Sequence, residues 1–198
     1  MSRHVAIAVL VTLVLIPGVA AAEGDSSPTI KGKPALVVMD IQNAYLPMMD
    51  NEGKERALSY VNYAIATFRE RELPVIVVYH TDPDRGPVPG SEAFQFPKEV
   101  QITDDDVKVI KNFPSAFEKT ELAQILRQEG CDTVFLVGLS AVGCVLRTYF
   151  DAERLDFRAF MVEGALLSHD AELTRSVEEI TGAVRIGNLD YMILNAPR

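Results

Sequence analysis

Three unbroken apolar runs constrain this chain more than any other feature of its sequence: Ala35 to Met39 (ALVVM), Val75 to Tyr79 (VIVVY) and Thr133 to Val137 (TVFLV). A strand with one wet face alternates polar and apolar residues. Runs without alternation therefore belong to strands covered on both faces, the condition of a parallel sheet between helix layers. Val107 to Ile110 and Arg158 to Val162 read as two further strands, and Val184 to Ile186 as a last one. The segments between them carry helical spacing. Glu55 to Glu70 places Leu58, Val61, Ile65 and Phe68 on one stripe and stops before Leu73-Pro74, while Thr120 to Gln128 ends at Gly130. A third helix is expected to begin near Gly143 and run through Val145, Leu146 and Tyr149, and a fourth covers Ala171 to Ile180. Strands alternating with helices predict a three-layer α/β/α, Rossmann-like fold around a mostly parallel sheet of about six strands.

The first 22 residues stand apart. Arg3 and His4 open a short basic start, Val5 to Ile16 is apolar, and Gly18 to Ala22 is made of small residues. That order is the pattern of a secretory signal peptide with Ala20-Ala21-Ala22 as the cleavage site. The apolar stretch is short of the roughly 20 residues a membrane-spanning helix needs. An uncleaved anchor and a buried first helix are the alternatives. The expectation is an exported, periplasmic or secreted protein, with residues 23–33 as a short extension and residues 34–198 as one domain.

Among 198 residues, 19 Lys and Arg stand against 28 Asp and Glu, a formal net charge of −9, and no Lys/Arg-rich block occurs. Nucleic acid and anionic membrane surfaces are therefore not expected partners. The two cysteines, Cys131 and Cys144, flank Asp132 to Gly138. If that run is extended at roughly 3.3 Å per residue, its ends lie well beyond the ~7 Å Cα separation a disulfide spans. Two free thiols are expected.

Chemistry-bearing residues fall at strand ends. Asp40 directly follows ALVVM, Lys111 ends the strand begun at Val107, and Cys144 lies in the turn Gly138-Leu139-Ser140-Ala141-Val142-Gly143 that leads from a buried strand into a helix. Ligands bind at the C-terminal edge of open α/β sheets. The long segment Thr81 to Asp106 leaves that same edge, and long loops in compact domains are usually functional. A thiol at a helix N-terminus beside a cation is expected to have a lowered pKa and to act as a nucleophile. On local sequence alone, an inert cysteine packing as a small hydrophobe is the equal alternative. Together, a carboxylate, an ammonium and a thiol form the set that acyl transfer needs. Asp40 would take the thiol proton, and backbone N–H groups of Ser140, Ala141 and Cys144 would hold an oxyanion.

The three segments ALVVMDIQN, KNFPSAF and VGLSAVGCV resemble the isochorismatase-like cysteine hydrolases, over about Pro34 to Val184 and in the same order. The resemblance implies that Asp40, Lys111 and Cys144 form the catalytic triad of a hydrolase that cleaves C–N bonds in small amides. It also implies a non-proline cis peptide at Leu139-Ser140 and a homo-oligomer. Metal-dependent nicotinamidases of this family carry an Asp-x-His and a further His. No Asp-x-His occurs here, so neither metal nor cofactor is expected, and Val142 stands where the family often has Asp. Isochorismatases proper lack the cysteine, which argues against vinyl-ether cleavage. Tyr45, Tyr79, His80, Phe94 and Phe117 are candidate substrate-binding residues, with core packing as the alternative for each; His169 reads as a helix-capping segment. A non-catalytic binding or scaffold protein on the same fold, and an ether hydrolase, remain the competing functions.

Overall fold

The computed structural model describes residues 32–197; the expected signal peptide, and most of the short extension behind it, lie outside them. Five strands form one parallel sheet: β1 (Lys33–Met39), β2 (Val75–His80), β3 (Val107–Lys111), β4 (Cys131–Leu139) and β5 (Arg158–Leu167), in the order β3-β2-β1-β4-β5. Five helices accompany them: α1 (Lys54–Glu70), α2 (Leu122–Gln128), α3 (Leu146–Arg154), α4 (Ala171–Thr181) and α5 (Ile186–Leu194). None is long and apolar enough to cross a membrane, among the described residues.

Successive side chains of a strand point to opposite faces, and both faces of this sheet are dry. On one face Leu36, Val38, Val75, Val77, Phe135 and Val137 pack with Val61, Ile65 and Phe68 of α1 and Leu189 and Ile193 of α5. On the other, Ala35, Val37, Ile76, Val78, Val134 and Leu136 pack with Leu122 and Leu126 of α2, Ala152 of α3 and Val177 of α4. This is the three-layer α/β/α fold the unbroken apolar runs predict.

Two boundaries depart from the sequence reading. The fifth strand continues past Val162 to Leu167, accommodating a register shift against β4 near Gly138. Val184 forms only an isolated bridge to Val162, and Ile186 opens α5, so the sheet has five strands rather than about six. Three apolar residues are too few for periodicity to separate a strand from a helix start.

Chain order runs β1 to β2 to β3 on one side and β4 to β5 on the other. The reversal lies between β1 and β4, whose C-terminal ends form the crevice where such sheets bind ligands. The two strands approach closely there. A Cβ on Gly138, whose φ is +113°, would lie 2.2 Å from the Met39 carbonyl oxygen, so only glycine fits.

Candidate active site

Asp40 is the first residue beyond β1, with its N–H bonded to the Val78 carbonyl at 2.9 Å and its own carbonyl accepting from Gln42 N at 2.7 Å. Its φ is +55°, a conformation few residues other than glycine adopt and one that concentrates at functional sites. Cys144 follows β4, whose last peptide bond into the turn, Leu139–Ser140, is cis. The turn itself is π-helical, Ala141–Val145, with Val145 N reaching back five residues to the Ser140 carbonyl at 3.2 Å. Helical structure thus starts earlier than the Gly143 boundary expected, and Cys144 sits inside this wide turn just ahead of α3. Single π turns in helices occur frequently at functional sites.

Lys111 comes from farther away than the sequence suggests. It ends β3, and β2 lies between it and β1, so the three strand ends are not immediate neighbours. The Lys111 and Asp40 side chains together must bridge two strand spacings, about 9.6 Å in all, and the long lysine stem covers most of that distance. It does so buried, at 2 % exposure. Its Nζ lies 2.7 Å from Asp40 Oδ2, donates to Cys144 Sγ at 3.3 Å and to His80 Nδ1 at 3.0 Å. An ammonium has three N–H donors and no acceptor, and three groups that could receive them surround this nitrogen. Apart from its contacts with this ammonium and the nearby thiol, the Asp40 carboxylate has no hydrogen-bond partner among the described residues.

Residues 34–180 match the isochorismatase domain family. The chain belongs to the isochorismatase family. An uncharacterised isochorismatase family protein of Escherichia coli O157:H7, YecD, is 32 % identical over 181 residues, covering 76 % of this chain and 95 % of that protein. The maleamate amidohydrolase of Pseudomonas putida is 36 % identical over 75 residues, 38 % of this chain and 35 % of that enzyme. Among solved structures, N-carbamoylsarcosine amidase of Thermoplasma acidophilum superposes with a TM-score of 0.67 at 30 % identity, covering 77 % of this chain and 95 % of that one.

Burial dominates the electrostatics of this isochorismatase-family site. It pushes the Cys144 thiol up to about 11, the Asp40 carboxylate adds to the rise, and Lys111 opposes it. This corrects the expectation of a lowered thiol pKa. Helix start and ammonium are both present, but desolvation of the sulfur outweighs them. At neutral pH the sulfur is a thiol that needs a base. Burial also raises the Asp40 carboxyl against the pull of Lys111, making it a better proton acceptor than an exposed aspartate. His80 is held down to about 4 by burial and by Lys111, and is therefore neutral at pH 7.

Asp40, His80 and Cys144 offer ligand atoms within 4.8 Å of one another, the one such group of three among the described residues. Lys111 Nζ stands within 3.3 Å of an atom of each. A divalent ion bound at ~2.0–2.3 Å to these atoms would have to displace that ammonium, so the donor set does not fit a metal.

The remaining sequence candidates divide. Tyr45 packs edge-on to the His80 ring at 5.8 Å, and its hydroxyl is pushed up to about 12 by burial and by Asp40, Cys144 and Asp82. Ser140 and Ala141 begin the turn that carries Cys144, Ala141 with its side chain in the core. Tyr79 and Phe94 do not join the site. They stack at 4.9 Å in the core beside α1, and Phe117 stacks on Phe157 in the opposite layer. Tyr79 neighbours His80 on β2 and so points to the other face. His169 is exposed one residue before Asp170, whose carboxylate caps α4 at Glu172 N and Leu173 N.

Sequence reasoning missed the residues that hold these groups in place. Gln42, fully buried, exchanges two hydrogen bonds with the His80 backbone and donates to the Phe94 carbonyl at 3.0 Å. Asn43 donates from its amide to the Glu92 carbonyl and from its backbone to Gln95 O. The polar pair after Asp40 thus pins the long loop of this isochorismatase-family chain. Beyond β3, Ala116 N donates to Thr148 Oγ1 on α3 at 2.9 Å, tying the lysine segment to the helix that follows Cys144. Their signal was available: Gln42 and Asn43 sit in the quoted Asp40 motif, and Ala116 in the Lys111 motif.

Proposed function

We propose that this chain is an exported cysteine amidohydrolase that cleaves a C–N bond in a small amide, carbamoyl or urea-like molecule. The observation that carries the reading is the buried ammonium of Lys111, in contact at once with the Asp40 carboxylate and the Cys144 sulfur. Two named relatives, N-carbamoylsarcosine amidase and maleamate amidohydrolase, support amides as the substrate class. The leader pattern of Met1 to Ala22 supports export.

The thiol of Cys144 gives its proton to Asp40 as the sulfur attacks the substrate carbonyl carbon. The carbonyl π electrons move to oxygen, and backbone N–H groups at the uncapped start of the Ala141–Val145 turn hold that oxyanion. Collapse breaks the C–N bond, and Asp40 returns the proton to the departing nitrogen. Water, deprotonated by Asp40, then attacks the thioester and releases the acid with the thiol restored. Lys111 draws the Asp40 carboxyl towards its ionised form against the larger push of burial, and its positive charge offsets the negative charge arriving on the sulfur.

Turnover of a panel of small amides, including N-carbamoyl amino acids, maleamate and nicotinamide, tests the reading. At least one is hydrolysed by the wild type and none by Cys144→Ala, with the fold retained by circular dichroism. Undiminished turnover in Cys144→Ala overturns it.

A further inference from the structure

We infer that His80 is a positioning residue for this site: its Nδ1 accepts a hydrogen bond from Lys111 and steers that ammonium onto Asp40 and Cys144, while the ring proton stays on Nε2. The inference rests on the reading of Asp40, Lys111 and Cys144 as the reacting groups and deepens it.

The geometry follows from the sheet. His80 and Lys111 are register partners at the ends of β2 and β3, so their side chains leave the same face side by side. Because β2 lies between β3 and β1, the lysine reaches Asp40 only by passing the end of β2, where His80 stands. Without a partner there, a buried ammonium on a flexible stem has two contacts, one of them a weakly accepting sulfur. The Nδ1 at 3.0 Å supplies the third.

The histidine is itself held. Gln42 Oε1 accepts from His80 N at 2.7 Å and Gln42 Nε2 donates to His80 O at 3.0 Å, which fixes the backbone from which the ring projects. A lysine ammonium can only donate, so Nδ1 must be the acceptor and the imidazole must carry its proton on Nε2. The groups facing the ring are Lys111 from β3, Asp82 from the following loop and Tyr45 edge-on, with Asp40 and Cys144 in the same cluster. Asp82 favours protonation of the ring, but burial and Lys111 win, which agrees with a neutral acceptor. Asp82 is also engaged elsewhere, accepting from the N–H groups of Asp84 and Arg85.

Two substrate-free measurements test this on the full chain. In the first, ring ¹⁵N spectra of the wild type followed from pH 8 to pH 5 are expected to show His80 as one neutral tautomer, protonated on Nε2 throughout. In the second, the rate of Cys144 alkylation by iodoacetamide is followed against pH. His80→Leu keeps the burial but removes the acceptor, and is expected to slow alkylation at pH 8 roughly tenfold, one unit of apparent thiol pKa. His80→Asn, whose Oδ1 falls near the place of Nδ1, is expected to stay within about twofold of wild type on the same scale. The inference is overturned by an Nδ1-protonated tautomer, by a ring that titrates in the ordinary histidine range, by His80→Leu alkylating at the wild-type rate, or by Asn and Leu slowing it equally. The wild-type spectra decide the matter even where a variant does not fold. Neither readout needs turnover, so an absence of amide hydrolysis would sink the hydrolase reading and leave this one standing.

Discussion

Cys131 and Cys144 bracket the same strand, one opening β4 at the lower edge of the sheet and the other following it at the ligand edge. Both are free, and burial pushes both thiols up to about 11. What differs is the company. Among the described residues the Cys131 sulfur donates to the Glu129 carbonyl at 4.0 Å and feels the more exposed charges of Lys33, Glu129 and Asp132, while Cys144 has a buried ammonium at 3.3 Å and a buried carboxylate in the same cluster. Thiol acidity at rest therefore does not separate the two cysteines. A proton acceptor within reach, and a cation to balance the charge that transfer creates, do.

Substitution should divide the two cysteines sharply. Replacing Cys144 by Ala is expected to lower kcat/KM at least ~10³-fold, as losing a covalent nucleophile does, whereas Cys131→Ala should leave it within about twofold; a steady-state assay on any amide the wild type turns over decides. Equal losses would erase the contrast. Next comes the buried ion pair beside Cys144, where Cys131 has only the more exposed Lys33–Glu129 pair. Lys111→Met strands a buried carboxylate, and breaking a buried pair from one side typically costs about 3–5 kcal/mol. Thermal denaturation at pH 7 should show a large fall in Tm, with part of it recovered by the double replacement Asp40→Asn, Lys111→Met. No recovery would mean that Lys111 stabilises the fold without regard to Asp40.

The sheet and its edge could be read from the sequence because fully covered parallel strands leave unbroken apolar runs, which fixes both the layers and the side on which Asp40, Lys111 and Cys144 emerge. The same pattern could not separate β5's continuation to Leu167 or the start of α5 from short apolar runs. Tyr79 and Phe94 were candidates because they flank the ligand edge, yet Tyr79 adjoins His80 and alternation sends it to the opposite face. The thiol's acidity was misjudged for another reason. Helix start and lysine are visible in sequence, whereas desolvation depends on the packing of residues far apart in the chain.

Two smaller effects sharpen the contrast further. With the native fold intact, iodoacetamide at pH 8 should modify Cys144 roughly tenfold faster than Cys131 or more, a gap equal to one unit of effective acidity, and peptide mass spectrometry reads both sites in one sample. Loss of the difference in Asp40→Asn would assign it to the carboxylate. Smallest is a pH effect on stability. The folded His80 is depressed to about 4 from its ordinary 6.5, so the stability it contributes is present above pH 6.5 and is lost as pH falls towards 4. His80→Asn removes that dependence, and the Tm difference between variant and wild type should shift in the variant's favour across that window. A constant difference would show that His80 is not held neutral by the fold.

The central claim is that Cys144 forms a covalent acyl bond with an amide substrate, using Asp40 as its base. Rapid acid quench of the wild type during turnover, followed by intact-mass and peptide analysis, tests it most directly. The account predicts an adduct with the mass of the substrate's acyl group, confined to the peptide carrying Cys144, and its absence in Asp40→Asn. An adduct on any other residue, or the same adduct at full yield in Asp40→Asn, would contradict it.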